Sequence, residues 1–320
     1  SNEAFMEDVS FINDLKIKAG YGELGNESIP QGRIFSQYLN DDNTNYDIGG
    51  SNSSVVPGYS LFIHGNKDLE WETTKTKNIG IDGAFLDNKV SFGIEYYQAL
   101  TDRLLVQDQA DITLIGYAQS KFINAGSVEN KGFDISLGYN DKLNENFSYN
   151  LALNVSSYKN TVKSLSDNPD YFLVGSVARE TRPSRTQAGQ PIASFHGFVI
   201  DGIIQDQADL DQTGDYLGKG IGTFKYRDLN GDGIINDEDR DFIGSPHPDF
   251  TYSLNMGAAY KNFDFSLFFQ GSQGNDIYNF TKFFTDFNSF PGAKSRDYLN
   301  SWSPTNRGGR LPLLSNNPAE

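Results

Sequence analysis

The sequence predicts an all-β fold that forms part of a large antiparallel β-barrel spanning a membrane, and three observations lead to this prediction. Apolar and polar residues alternate over seven segments, which is the period of a β-strand. The connections between these segments are alternately very short and very long. Aromatic residues are abundant, with 24 Phe and 17 Tyr against 2 Met, a composition that favours strands over helices.

Each of the seven segments predicts one strand, and six of these strands form three hairpins. Short turns at Asp87–Asn88, Asn140 to Asn146 and Lys261–Asn262 join segments two and three, four and five, and six and seven. In chain order, the apolar positions are Leu15, Ile17, Ala19 and Tyr21; Ile79, Ile81, Gly83 and Phe85; Val90, Phe92, Ile94 and Tyr96; Phe133, Ile135, Leu137 and Tyr139; Phe147, Tyr149, Leu151, Leu153 and Val155; Tyr252, Leu254, Met256, Ala258 and Tyr260; and Phe263, Phe265, Leu267 and Phe269.

The long connections have no usable period. About forty residues after Tyr21 are rich in Asn, Asp, Gly and Ser, residues 107–121 are again loop-like, and residues 165–247 form one long insertion. A short helical or turn segment is expected from Ala4 to Asp8, and Asp276 to Glu320 is expected to be an aromatic-rich loop.

Alternation alone fits a soluble sandwich or barrel equally well, but two features favour a membrane barrel. The face opposite the apolar one is small and polar, as at Gly93, Asn150 and Asn154, which suits a wet lumen. Tyrosines at strand ends suit the aromatic girdles at membrane interfaces; they are Tyr21, Tyr96, Tyr139 and Tyr260. The long loops are then extracellular and the short turns periplasmic.

Composition excludes several classes of function. The chain has 42 Asp and Glu against 26 Lys and Arg, a net charge of −16, which opposes binding to nucleic acid and to anionic membrane surfaces. It has no Cys, so disulfides and thiolate chemistry are absent. No apolar run is long enough for a membrane-spanning helix, so only a barrel could place this chain in a bilayer.

Residues 228–239 have the spacing of a calcium-binding loop. Side-chain oxygens of Asp228, Asn230, Asp232, Asn236 and Asp239 fall at positions 1, 3, 5, 9 and 12; Gly233 supplies the turn at position 6, and Ile234 supplies a backbone carbonyl at position 7. We expect Ca²⁺ to bind here and to stabilise a long loop. Position 12 is Asp, as in dockerin-type loops, and flanking helices are not evident, so a complete EF-hand is not predicted. A solvated turn rich in Asn and Asp is the alternative.

Aromatic residues in the loops are candidates for ligand contact. Trp71, Tyr171, Phe172, Phe284, Phe287 and Trp302 could stack on sugar rings or pack against a peptide, although most loop aromatics stabilise the loops themselves. The three histidines, His64, His196 and His247, have no metal-ligand spacing, and no catalytic motif is present. We therefore predict no catalytic residues and no enzyme activity.

Several phrases of the sequence resemble the SusC/RagA family of TonB-dependent outer-membrane transporters. They occur in the family's order and are LKIKAGYGELGN from Leu15, DLEWET from Asp68, NIGID from Asn78, GSVENKGF from Gly126, GQPIASF from Gly189, the loop from Asp228 to Asp239, and FFQGSQGND from Phe268. Plug and closing strands of that family are not seen, so the resemblance implies that residues 1–320 are a segment of the C-terminal half of the barrel.

The resemblance also implies a function and partners. It implies import of an oligosaccharide or peptide across the bacterial outer membrane, with a SusD-like lipoprotein capping the barrel, outer-membrane lipid around it, and the TonB complex contacting a region outside this chain. A secreted calcium-binding adhesion or glycan-binding β-domain is the alternative, and it would be soluble alone. A surface glycosidase would need two facing carboxylates, and the sequence singles out none.

Overall fold

The fold is built around a seven-stranded antiparallel sheet. The computed structural model describes residues 11–29, 31–40, 45–47, 55–108, 119–166, 168, 170–175, 182–287 and 292–314. The sheet consists of β1 (Ile12–Asn26), β6 (Glu72–Phe85), β7 (Val90–Asp102), β10 (Ser127–Asn144), β11 (Phe147–Ser164), β18 (Phe250–Tyr260) and β19 (Phe263–Gln273), side by side in that order. Each strand pairs with the next member of the sheet along the chain, so the sheet is an up-and-down meander.

The shorter elements lie in the connections. They are β2 (Gln37–Leu39), β3 (Tyr46–Asp47), β4 (Val55–Val56), β5 (Ser60–Ile63), β8 (Leu105–Gln107), β9 (Phe122–Asn124), β12 (Phe172–Val174), β13 (Ser184–Gln187), β14 (Ser194–Phe198), β15 (Ile200–Ile203), β16 (Phe224–Tyr226), β17 (Arg240–Gly244), α1 (Gln207–Gln212), α2 (Thr281–Thr285) and 3-10 turns at Asp237–Asp239 and Arg296–Asn300. Among the described residues, no helix has the length and apolarity needed to cross a membrane.

The chain divides into two compact units. The first comprises residues 1–173, 187–192 and 248–274, and it contains the seven-stranded sheet. A small core of Val128, Val162 and Leu165 lies where its long strands meet the loops. The second comprises residues 174–186, 193–247 and 275–320; in it β14 pairs with β13 and β17, and β15 pairs with β16.

The predicted seven strands and three hairpins are confirmed, with differences in length. The turn predicted over Asn140 to Asn146 is shorter, because β10 continues to Asn144 and only Glu145 and Asn146 turn. Lys142 still pairs with Ser148, and an irregularity between Lys142 and Asn144 closes the hairpin. At Lys261 the backbone is left-handed (φ 53°), which permits a two-residue turn.

The predicted long connections contain more structure than their composition indicates. β2 pairs with β5, β3 with β4 and β8 with β9, which gives short two-stranded ribbons. The insertion 165–247 contains the strands from β12 to β17 and helix α1. The segment Ala4 to Asp8 and most of residues 107–121 lie outside the described residues.

Candidate functional site

The seven-stranded sheet has one apolar face and one polar face, and the register shows how continuous each is. Ile17, Ile81, Ile94, Ile135 and Val155 are cross-strand partners in a single row over five strands. Such a row is expected where every strand alternates in phase, because side chains on one face are spaced by two residues. None of these side chains is buried among the described residues, and the exposed fraction of Ile17 is 75%.

Aromatic residues border the apolar face at both ends. Near the short turns, the rings of Phe147 and Tyr260 lie 6.4 Å apart and those of Tyr139 and Tyr149 lie 5.7 Å apart. Near the long loops, the rings of Tyr96 and Phe133 lie 4.9 Å apart. We call the surface between these borders the apolar band.

The height of the apolar band matches a membrane. On β11 it runs from Ser157, the partner of Phe133, to Phe147. Those ten residue steps span about 34 Å along the strand, and a tilt of about 40° reduces this to about 26 Å. The lipid-facing band of an outer-membrane barrel is about 25 Å tall. The apolar face therefore has the dimension required to span a bilayer.

The polar face contains a charged cluster that sequence reasoning did not single out. Nζ of Lys18 lies 2.8 Å from the carboxylate of Asp82 and 3.7 Å from that of Glu95. A cavity of about 330 Å³ is lined by these three side chains with Asp134, Ser136, Asn154 and Ser156 among others. The only sequence signal is that Lys18 alternates with apolar residues, which also describes any exposed strand residue.

Small residues give these side chains room on the polar face. A Cβ atom on Gly93 would lie 2.7 Å from Oγ of Ser136 and 2.9 Å from Oδ1 of Asp82. A Cβ atom on Gly80 would lie 2.9 Å from the carbonyl of Ile94 and 3.3 Å from Cβ of Glu95. The glycines on this face thus make space for neighbouring polar side chains over the strands.

The candidate calcium loop is held by hydrogen bonds from its own backbone. Asp228 accepts the N–H groups of Gly231 (2.7 Å) and Gly233 (2.8 Å), and Asp232 accepts that of Ile234 (2.7 Å). Oδ1 of Asn230 accepts the N–H of Asp232 at 3.0 Å. Gly231 (φ 76°) and Gly233 (φ 82°) adopt the left-handed conformation that this tight wrapping requires.

Asp239, the last candidate ligand, is completely buried. Its carboxylate accepts the N–H of Asn236 at 2.9 Å and that of Leu229 at 2.8 Å, so it joins the two ends of the loop. These backbone donors lower the pKa of Asp239 below its ordinary value. Asn236 caps the 3-10 turn Asp237–Asp239, and its Oδ1 accepts the N–H of Glu238.

Asp215, which precedes the loop in the second unit, also holds the loop by backbone hydrogen bonds. Asp215 and Ile234 form a bridge, with the N–H of Asp215 donating to Gly233 (2.7 Å) and the N–H of Ile235 donating to Asp215 (2.8 Å). In the described part of the chain, no three His, Asp or Glu side chains converge as a metal cluster. A cation in this loop would therefore depend on Asn and backbone carbonyl oxygens as well as carboxylates.

The six candidate aromatic residues divide between the two units. Trp71 and Phe172 belong to the first unit and are exposed, while Tyr171 packs on the Val128 core. In the second unit, Phe284 contacts the rings of Phe280 and Phe283 edge-to-face, and Phe287 packs edge-to-face on Phe224. Trp302 is only 5% exposed, and its Nε1 donates to Oε1 of Gln205 at 2.9 Å. The burial of Trp302 gives it a packing role.

Comparison with known proteins identifies the family. The sequence profile of the family described as "TonB dependent receptor-like, beta-barrel" matches residues 8–270. The chain belongs to this family. It is 32% identical over 317 residues to TonB-dependent receptor P3 of Formosa agariphila, covering 98% of this chain and 30% of that protein. It is 28% identical over 281 residues to TonB-dependent receptor SusC of Bacteroides thetaiotaomicron, covering 86% of this chain and 26% of that protein.

The solved structures agree with this TonB-dependent receptor fold. A chain of the RagAB peptide transporter matches with a TM-score of 0.77 at 21% identity, covering 97% of this chain and 32% of that chain. The predicted resemblance to SusC/RagA is confirmed, as is the prediction of an outer-membrane β-barrel segment. The chain spans about a third of the length of the relatives it matches.

Proposed function

We propose that this chain forms part of the channel wall of an importer for oligosaccharide or peptide nutrients. In this proposal the apolar band contacts outer-membrane lipid and the polar face lines the lumen. A SusD-like lipoprotein caps the long loops, and the TonB complex acts through a region of the protein outside this chain. The chain contributes binding and transport surfaces, and catalysis is not part of the proposal.

The observation that carries this proposal is the two-faced sheet. Its apolar rows extend over about 26 Å, and its other face presents Lys18, Asp134 and Asn154 around an open cavity. A secreted adhesion or glycan-binding domain would have to cover an apolar face of this size to remain soluble. Lipid covers such a face in a membrane barrel, so the two-faced sheet favours the transporter over the soluble alternative.

We also propose that residues 228–239 bind Ca²⁺ and that the ion stabilises the insertion. The oxygens of Asp228, Asn230, Asp232, Asn236 and Asp239 and the carbonyl of Ile234 would hold it. The chemistry fits, because a completely buried carboxylate at Asp239 favours a neighbouring cation, and the other side chains are already oriented by the loop backbone. Bound Ca²⁺ would supply positive charge that attracts these oxygens and holds the two ends of the loop together.

Growth and uptake test the transport proposal. The full-length gene is deleted in the source bacterium and restored with and without a functional TonB protein, and uptake of labelled oligosaccharides and peptides is measured. We expect uptake of one class to be lost on deletion and to return only when TonB is functional. Uptake that persists without TonB would contradict the proposal. Co-purification of the SusD-like lipoprotein with the full-length protein tests that partner separately.

Epitope insertion tests the proposed orientation. An epitope after Gly218, in the insertion, should bind antibody on intact cells, whereas one between Lys261 and Asn262 should bind only after the outer membrane is permeabilised. The reverse pattern would show that the long loops face the periplasm. Western blotting of purified outer membranes confirms that both variants are assembled.

A further inference from the structure

A row of lysines crosses the apolar face of the sheet directly beyond the apolar band. Lys77 on β6 faces Gln98 on β7, Gln98 faces Lys131 on β10, and Lys131 faces Lys159 on β11. All three lysines are exposed and have the same strand phase as Tyr96 and Phe133, one row away. We call Lys77, Lys131 and Lys159 the lysine row. It lies at the long-loop end of the apolar band.

The lysine row carries more positive charge than its surroundings neutralise. Lys131 and Lys159 are direct cross-strand partners, and like charges in that arrangement repel each other. Glu129 lies 3.8 Å from Nζ of Lys131, but the same oxygen is 3.4 Å from Nζ of Lys163. Within the described part of the chain, neither Lys77 nor Lys159 has a carboxylate within 4.0 Å. The row is thus an excess of positive charge in a chain whose net charge is −16.

The position of the lysine row determines which kind of anion can bind to it. The apolar band ends at Tyr96 and Phe133, where the acyl chains end and the headgroups begin. Lysine stems follow apolar surface while their ammonium groups reach polar surroundings, so this row lies at headgroup height. Neighbouring strands are about 4.8 Å apart, which places Lys131 and Lys159 close enough to share one phosphate group.

We propose that the lysine row binds the phosphate groups of a phosphorylated glycolipid in the outer leaflet. The proposal rests on the outward orientation of the long loops proposed above. The lipid's acyl chains would cover Ile135 and Val155 on the apolar band while its phosphates neutralise the lysines. Free phosphate gains no apolar contact on this surface. The lipid gains both the apolar contact of its acyl chains and the ionic contact of its phosphates, so it is the ligand that fits this surface.

Lipid binding to the purified full-length protein tests the proposal. Native mass spectrometry in detergent measures the affinity for synthetic diphosphoryl lipid A. Each lysine near an anionic lipid surface contributes about fivefold in affinity, so replacing Lys77, Lys131 and Lys159 with Gln together should weaken binding on the order of 100-fold. Replacing the same three residues with Arg should preserve binding, because the charge is kept.

A matched set of lysines at the other end of the sheet provides the control. Replacing Lys89, Lys142 and Lys261 with Gln makes the same charge change beside the short turns and should leave the affinity within about twofold. Dephosphorylated lipid A should bind weakly to every variant, and inorganic phosphate at millimolar concentration should not displace the lipid. Equal affinity of the wild type and the lysine-row Gln variant, or equal loss in the control, would overturn the proposal.

The outcomes separate this proposal from the proposed function. If the epitope experiment shows the reverse orientation, the outward placement of the loops is wrong whatever the lipid binding. If the orientation is as proposed but phosphorylated and dephosphorylated lipid bind equally, only the lysine-row proposal is wrong. A Gln variant that does not assemble is replaced by the single Lys159→Gln variant, for which an affinity loss of about fivefold is expected.

Discussion

Exchanging one residue on each face of β11 for arginine tests the assignment of the two faces. Leu153 lies near the middle of the apolar band, where it pairs with Leu137 and Leu254. Its neighbour Asn154 points to the polar face, and its Nδ2 donates to Oγ of Ser253 at 3.3 Å. Leu153→Arg and Asn154→Arg therefore introduce the same charge at almost the same depth, but into two different surroundings.

The expected cost of the two variants differs by about 2 kcal/mol. Arginine at a lipid-facing position near the midplane costs about 2–4 kcal/mol. At Asn154 the loss is one uncharged hydrogen bond, about 1 kcal/mol, and Asp134 lines the same cavity and favours an added cation. Guanidinium unfolding of the full-length protein in phospholipid vesicles measures the free energy of unfolding. Equal costs, or a larger cost for Asn154→Arg, would refute the assignment of faces.

Three further predictions concern the second unit. Asp239→Asn removes the carboxylate that accepts two backbone N–H groups, so amide exchange across residues 228–239 should accelerate and the calcium affinity measured by titration calorimetry should fall. The control Asp237→Asn changes a side chain that is 88% exposed, and it should alter neither quantity. Absence of calcium binding by the wild type at millimolar ion would contradict the calcium proposal. Burial and the neighbouring Arg185 and Arg240 lower the pKa of His196, so this side chain binds fewer protons in the folded state than in the unfolded state. The stability contributed by neutral His196 should be complete above about pH 6.5 and should be lost as the pH falls from there through the lowered pKa. His196→Gln should reduce the pH dependence of thermal unfolding in this range. Trp302→Ala should lower the free energy of unfolding by about 3–5 kcal/mol, as measured by thermal unfolding. Trp71, which is 57% exposed, is the control, and Trp71→Ala should lower it by about 1 kcal/mol or less. Similar losses of stability in the two variants would contradict the packing role of Trp302.

The sheet was predictable because each of its strands alternates in phase with its neighbours. Ile17, Ile81, Ile94 and Ile135 each lie in a segment with period two, so the sequence predicts the strand and the face of each residue. The turn at Lys261 was predictable for the same reason, since polar residues separate two alternating runs. Register between strands was not predictable, and the apolar band and the lysine row become visible only when the partners are known.

Strand length exceeded prediction where the strands leave the apolar band. β10 and β11 each contain 18 residues, and their ends carry residues such as Lys131, Asn140 and Lys159. Hydrogen bonding of the backbone continues there although alternation of apolar and polar residues has stopped. Periodicity therefore underestimates strands that extend beyond a bilayer.

The second unit was the least predictable region. Its short strands have three to five residues, too few for a period to be recognised. The calcium-type spacing from Asp228 to Asp239 was readable because its ligands are local in sequence. The contact between Trp302 and Gln205, 97 residues apart, has no local signal, so ligand contact and packing could not be distinguished for that tryptophan.

Residue-by-residue accessibility along β11 tests the central claim, that this sheet is a wall between lipid and lumen. The chain has no Cys, so single cysteines placed from Phe147 to Ser156 can carry a spin label in the full-length protein in lipid vesicles. We predict a period of two, with labels at 147, 149, 151, 153 and 155 accessible to oxygen dissolved in lipid, and labels at 148, 150, 152, 154 and 156 accessible to a water-soluble nickel complex or shielded from both. Equal access of the water-soluble complex to both series would contradict the membrane barrel.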